Sequence, residues 1–157
     1  MTSKSVSNSK TSKFQFVLSS DLKNFEFFLQ SVNIPGWSYG VVEQRIAGAK
    51  MNFPSDELTF NDLMFEVICD AEYNGWEEVY QEMRRGHNLQ IGIMNQEDKI
   101  FQGTLILNSG KNNQIAKIQF KDMIITEVGD MQLDLKSSQN LFYSITARFD
   151  DMIFVRS

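Results

Sequence analysis

Cysteine, histidine and proline are almost missing from this chain of 157 residues, which holds one Cys (Cys69), one His (His87) and two Pro. A lone thiol excludes an intrachain disulfide, so nothing in the sequence points to an oxidising compartment. No apolar run approaches the roughly 18 residues that a membrane-spanning helix needs. Basic residues are also short, with 15 Lys and Arg against 20 Asp and Glu and a formal charge of −5. A grip on nucleic acid through its phosphates relies on Lys and Arg replacing counterions, so that mode of binding is disfavoured. An acidic wall that repels a passing strand is compatible with the same charge.

Familiar catalytic motifs are missing as well. There is no G-x-S-x-G, no G-x-x-x-x-G-K-[ST], no G-x-G-x-x-G and no H-E-x-x-H. A Cys69–His87 dyad is arithmetically possible, but a thiol buried in a strand and an imidazole at a helix end account for both residues more simply. The acid pairs Asp150–Asp151 and Glu77–Glu78 read as a strand end and a helix start, because a metal site needs convergent ligands rather than adjacent ones. No cofactor and no metal is expected, and the chain reads as a non-enzyme.

What the chain does have is apolar bulk: 42% of its residues are hydrophobic, including 13 Phe and 8 Met. That suffices for the core of one domain, with part left over for an interface. The start, MTSKSVSNSKTSK, is polar and basic without an apolar stretch. Residues 1–13 are therefore expected to be a flexible arm and 14–157 a single domain.

Phe14–Leu18 and Phe25–Val32 read as two strands of a hairpin. Pro35 and Gly36 then turn the chain. Ser38–Ala49 looks extended, and the polar stretch 43–57 reads as a long loop before the next strand. A loop of that length inside a compact domain needs a job. In Leu58–Asp70 the alternation of apolar residues slips at Asn61–Asp62, which predicts a bulge or bend. A helix over about 75–85 carries the stripe Trp76, Val79, Tyr80 and Met83, at i, i+3, i+4 and i+7. Asn74 and Glu77 have the spacing of a capping box, and the stripe is expected to dock on the chain's own sheet. Strands are expected again at Asn88–Met94, Lys99–Leu107, Ile115–Val128 (irregular near Lys121–Asp122), Met131–Leu135 and Leu141–Phe149. The whole reads as mainly β: an antiparallel β-sandwich or barrel with one docked helix and a long loop between strands.

The order of these pieces resembles the tail tube family of contractile-tailed bacteriophages. The matching pieces are Ile34-Pro35-Gly36 with Val42-Glu43, then Leu58-Thr59-Phe60-Asn61-Asp62-Leu63 through Asp70. Further on they are Val128-Gly129-Asp130 with Leu133-Asp134, Asn140, Phe142, Ile145 and Thr146. The resemblance implies a structural virion protein whose hexameric rings stack into the inner tube of the tail, a conduit through which DNA passes without specific binding. It implies sheath, baseplate and tape-measure partners, no membrane, and a place in the virion tail after assembly in the host cytoplasm. The loop would contact the adjacent ring through Glu43, Gln44, Arg45, Ile46, Lys50, Met51 and Phe53. Glu127, Asp130 and Asp134 are candidate acids of the lumen. A tube-initiating baseplate protein, a tail-terminator ring and a bacterial injection-system tube subunit fit the same pattern. From the residues alone, a monomeric β-barrel that binds a ligand among its Phe and Met, or a hydrolase using Asp150 and Asp151, stays open.

Overall fold

The computed structural model describes residues 13–19, 22–85 and 100–157. Among them the elements run β1 (Phe14–Leu18), α1 (Lys23–Phe28), β2 (Leu29–Val32), β3 (Trp37–Ile46), β4 (Ala49–Phe60) and β5 (Leu63–Ile68). They continue with α2 (Asn74–Arg85), β6 (Phe101–Asn108), β7 (Gln114–Val128), β8 (Phe142–Arg148) and β9 (Asp151–Arg156). Strand patterning is written in period two. Leu63, Phe65 and Val67 of β5 are buried while Met64 and Glu66 are exposed, and Tyr143, Ile145 and Ala147 of β8 repeat the rule.

β7 is the spine. Its first half lies between β6 and β9, with Ile118 opposite both Leu105 and Phe154, and β1 closes that sheet beyond β6. Its second half pairs with β8, which leads on through β5 to β2. All these pairings are antiparallel, and the two ends of the path do not meet, so the architecture is an open sandwich. The strand changes sheet at the irregularity expected near Lys121–Asp122. Asp122 sits at φ 54° there, and its backbone N–H and carboxylate exchange hydrogen bonds with the Gln102 side chain at 3.2 and 3.1 Å. The sheets enclose a core of Phe16, Phe65, Leu105, Phe120, Met123 and Ile145 with their neighbours.

Three expectations are corrected, and one strand is added. Phe25–Val32 is a turn of helix followed by a short strand, with Phe25 buried and Phe27 exposed. Its β-formers favour strands only where a neighbouring strand is there to meet them, and no hairpin with β1 forms: β1 pairs with β6 and β2 with β5. Met131–Leu135 alternates but has no strand beside it among the described residues, and Leu133 and Leu135 are exposed. Asp151–Arg156 is a strand, carried alongside β7 in the register that β8 began. The stretch 43–57 is not a loop: it lies almost wholly within β3 and β4. Residues 1–12, the strand expected at Asn88–Met94 and His87 lie outside the described residues.

The helix appears where the apolar stripe placed it, but its cap differs. Asp70, rather than Asn74, accepts from the first backbone N–H groups, those of Asn74 at 3.0 Å and Gly75 at 3.2 Å. Partial burial raises the Asp70 pKa, but these hydrogen bonds outweigh it and hold the carboxyl below its ordinary value. Glu78 of α2 reaches across to the first turn of α1 and accepts from the backbone and side-chain amides of Asn24 at 3.2 and 2.7 Å, so one helix caps the other.

Tyr143 lies beneath this corner, 2% exposed, with a hydroxyl that has no hydrogen-bond partner among the described residues. Burial, then the proximity of Cys69, Asp70 and Glu78, pushes its pKa up. A β-carbon on Gly75 would come 3.0 Å from that hydroxyl, which is why a glycine opens the helix here. An unpaired buried hydroxyl costs about 1–3 kcal/mol. Tyr143→Phe is therefore expected to raise stability by about 1 kcal/mol in urea unfolding of the full chain. A loss of that size would show that the hydroxyl is paired.

Candidate functional site

Among the described residues β3 and β4 pair only with each other, as a two-stranded sheet separate from the sandwich. Ala47 at φ 52° and Gly48 at φ 80° make a two-residue turn of the type I′ kind, which matches the twist of the flanking strands. At the other end the ribbon is pinned to the body. The Asn33 side chain accepts from the Met64 backbone N–H at 2.6 Å and donates to the Asp62 carbonyl at 3.1 Å. The Asn61 N–H donates to the Gly36 carbonyl at 2.9 Å, and the Phe60 ring packs on Phe149 at 5.5 Å.

Between these pins the ribbon is bare. Every residue of β3 is exposed, and on β4 only Ser55 and Phe60 are partly covered. Its large apolar side chains, from Trp37 and Tyr39 at the root to Ile46 and Phe53 near the tip, are 39% to 66% exposed. Fully covering a side chain of this kind is worth about 1.5–3 kcal/mol, and an isolated two-stranded hairpin is marginal in water. A contiguous apolar strip of this size marks an interaction surface.

The residues singled out from the sequence fall together here. Glu43, Gln44, Arg45 and Ile46 on β3 stand opposite Asn52, Met51, Lys50 and Ala49, and Phe53 stands opposite Val42. Glu43 and Lys50 make an ion pair at 3.0 Å with both side chains more than half exposed, an arrangement worth little in water. Sequence reading passed over Trp37, Tyr39, Val41 and Leu58. The signal was there, in apolar residues at every second position, but the polar run from Asn52 to Glu57 hid it.

The helix stripe is divided. Val79 is buried, and Trp76 and Met83 pack against the core. Tyr80 is left half in solvent, stacked on Trp76 at 5.6 Å with Arg84 over its ring at 5.9 Å. Glu127, Asp130 and Asp134 are all exposed, Glu127 on β7 and the others on the connector after it. Asp150 and Asp151 are exposed at the β8–β9 junction. The Cys69 thiol is pushed up by burial and by Asp70. A groove of about 680 Å³ between α1 and α2 is lined by Leu22, Asn24, Asn74, Glu77, Gln81 and Arg84 among others, rather than by the Phe and Met of the core.

No protein-family model and no curated protein matches the sequence. Solved structures do match the fold. A chain of the anti-feeding prophage (AFP) tube-terminating cap superposes with a TM-score of 0.76 at 12% identity, over 98% of this chain and 95% of that one. A chain of the sheath/tube terminator of the extracellular contractile injection system PVC, in its extended state, gives 0.74 at 13%, over 96% and 99%. A chain of the 6-fold symmetrised AFP baseplate gives 0.68 at 16%, over 99% and 98%. At such identities the likeness is one of fold: the chain folds, end to end, like components of contractile injection systems.

Ala47 holds a left-handed conformation that costs a non-glycine residue about 1–2 kcal/mol, and asparagine tolerates it better. Ala47→Asn, which writes the preferred Asn-Gly turn, is expected to slow amide exchange along β3 and β4 severalfold. Unchanged exchange would show that the turn does not limit the ribbon's order.

Proposed function

We propose that this chain is a structural, non-enzymatic ring component of a contractile tail or injection apparatus. Six copies close a ring, and rings stack as part of its inner tube. The β3–β4 ribbon makes the contacts between copies, with Glu43, Gln44, Arg45, Ile46, Lys50, Met51 and Phe53 meeting the adjacent ring. The observation that carries this reading is the ribbon: a long, rigidly rooted pair of strands, apolar and uncovered, on a fold shared with tube-terminator and baseplate components. The terminator and cap likenesses favour a second form of the same reading, in which the chain forms rings only at the end of the tube.

On this reading residues 14–157 act as one domain within the wall. Sheath, baseplate and tape-measure proteins are its neighbours, in a virion tail assembled in the host cytoplasm. Glu127, Asp130 and Asp134 face the lumen. Their charge, with the overall excess of acid, lets DNA pass without adhering.

Tyr39 and Leu58 are directly paired, so replacing 40–57 with Asn-Gly joins them by the shortest favoured turn. The shortened chain is expected to keep its unfolding free energy within about 1 kcal/mol, because the ribbon contributes nothing to the core. By light scattering it forms no stacks under conditions in which the full chain does. A shortened chain that stacks normally would remove the ribbon from the account.

A further inference from the structure

We infer that each ribbon is gripped by two other copies of this chain at once, one on each face, with the change of partner between Val41 and Val42. The inference rests on the assembly proposed above and adds to it how many neighbours one ribbon has. Side chains directly opposite in an antiparallel pair share a face, and successive residues of a strand point to opposite faces. From Trp37 to Val41 the apolar side chains hold the odd positions of β3, opposite Phe60, Leu58 and Pro54. From Val42 onward they hold the even positions, opposite Phe53, Met51 and Ala49. Beyond the crossing, the first face carries Glu43, Arg45 and Lys50 instead. Ribbon twist turns both faces together and does not undo the exchange between adjacent residues.

The crossing lies one residue past a built irregularity. Tyr39 is opposite Leu58 but Val41 is opposite Pro54, so Ser55, Asp56 and Glu57 face Gly40 alone. A β-carbon on residue 40 would lie 2.6 Å from the Ser55 hydroxyl oxygen, so the close approach requires glycine. Bulges of this kind re-aim side chains. One flat neighbour covering the whole of one face would desolvate Glu43, Arg45 and Lys50 on the first face, or Ser38 and Thr59 on the second, and leave the other face's apolar residues in water. Two neighbours, each taking one half, avoid both costs.

Copies of this chain have the matching charge. At the crossing Asp56 and Glu57 make no ion pair among the described residues, and neither do Lys117 and Lys121 on β7. Near the tip, Arg45 is likewise unpaired, as are the exposed Glu127 and Asp130 at the far end of β7. Each copy thus presents unpaired charges of both signs to the two halves of another copy's ribbon. The root half lies beside the body and suits a lateral neighbour. The tip half extends about 15 Å past the crossing, at roughly 3.3 Å per residue, and suits a copy in the next ring.

The test places a photo-crosslinking side chain at Val41 or at Val42 of the full chain, adjacent residues on opposite faces, and maps the cross-links in assembled protein by mass spectrometry. Two different surface regions are expected, one for each position. Cross-links from both positions to the same stretch would overturn the two-copy grip while leaving assembly intact. As a second readout, the pair Met51→Ser and Phe53→Ser is expected to leave rings that do not stack, and the pair Tyr39→Ser and Leu58→Ser to prevent rings from closing. Both pairs lie on exposed positions, so thermal melts should match the wild type. Loss of the same step in both would also overturn the inference. A wild-type chain that forms neither rings nor stacks would contradict the assembly itself, and the grip with it.

Discussion

The edge-to-face contact between Phe16 of β1 and Phe65 of β5, at 4.9 Å, is where the two sheets of this molecule meet. From it a row of rings runs in both directions. Phe65 meets Phe25 of α1 at 5.3 Å, while Phe16 stacks on Phe120 at 6.1 Å, Phe120 meets Phe149 at 4.9 Å, and Phe149 meets Phe60 at 5.5 Å. Such pairs contribute about 0.5–1.5 kcal/mol each beyond their burial. The row links α1 at one end, through the core, to the root of the ribbon at the other. The ribbon's direction is therefore set by the core, although nothing among the described residues covers the ribbon itself.

That combination explains why the exposed strands are not simply a defect. A free pair of apolar strands with open edges is a hazard in a monomer, because any other chain can pair with it. Here the pair is long, its turn is a favoured one, and its root is held by Asn33, Asn61 and Phe60. A rigid root lowers the entropy lost on docking, so the geometry favours one specific partner surface over indiscriminate pairing. A ring requires such a heterologous contact, one that closes on itself rather than pairing a patch with its own copy.

Much of the sandwich could be read from period two in the sequence, as in Leu63–Phe65–Val67 and Tyr143–Ile145–Ala147, because those strands have one buried face and one wet face. The helix could be read from Trp76, Val79 and Met83 for the same reason. Of the ribbon only the first strand could, as the extended stretch Ser38–Ala49; the second could not, since neither face of the ribbon is buried among the described residues and its apolar residues change parity between Val41 and Val42. Pattern rules assume a partner inside the molecule, and among the described residues β3 and β4 have none beyond each other. Met131–Leu135 departs in the opposite sense: it has the pattern of a strand but, among the described residues, no strand to pair with. Asp70 as the helix cap escaped because its acceptor oxygens act from four and five residues away.

The central claim is that the uncovered ribbon exists to join copies of this chain into rings. The most direct test is electron microscopy of the purified, full-length wild-type protein over a concentration series. The account predicts six-fold rings, singly or in stacks, that become more abundant as concentration rises. A monodisperse monomer at every concentration, its ribbon amides exchanging freely with solvent, would contradict it.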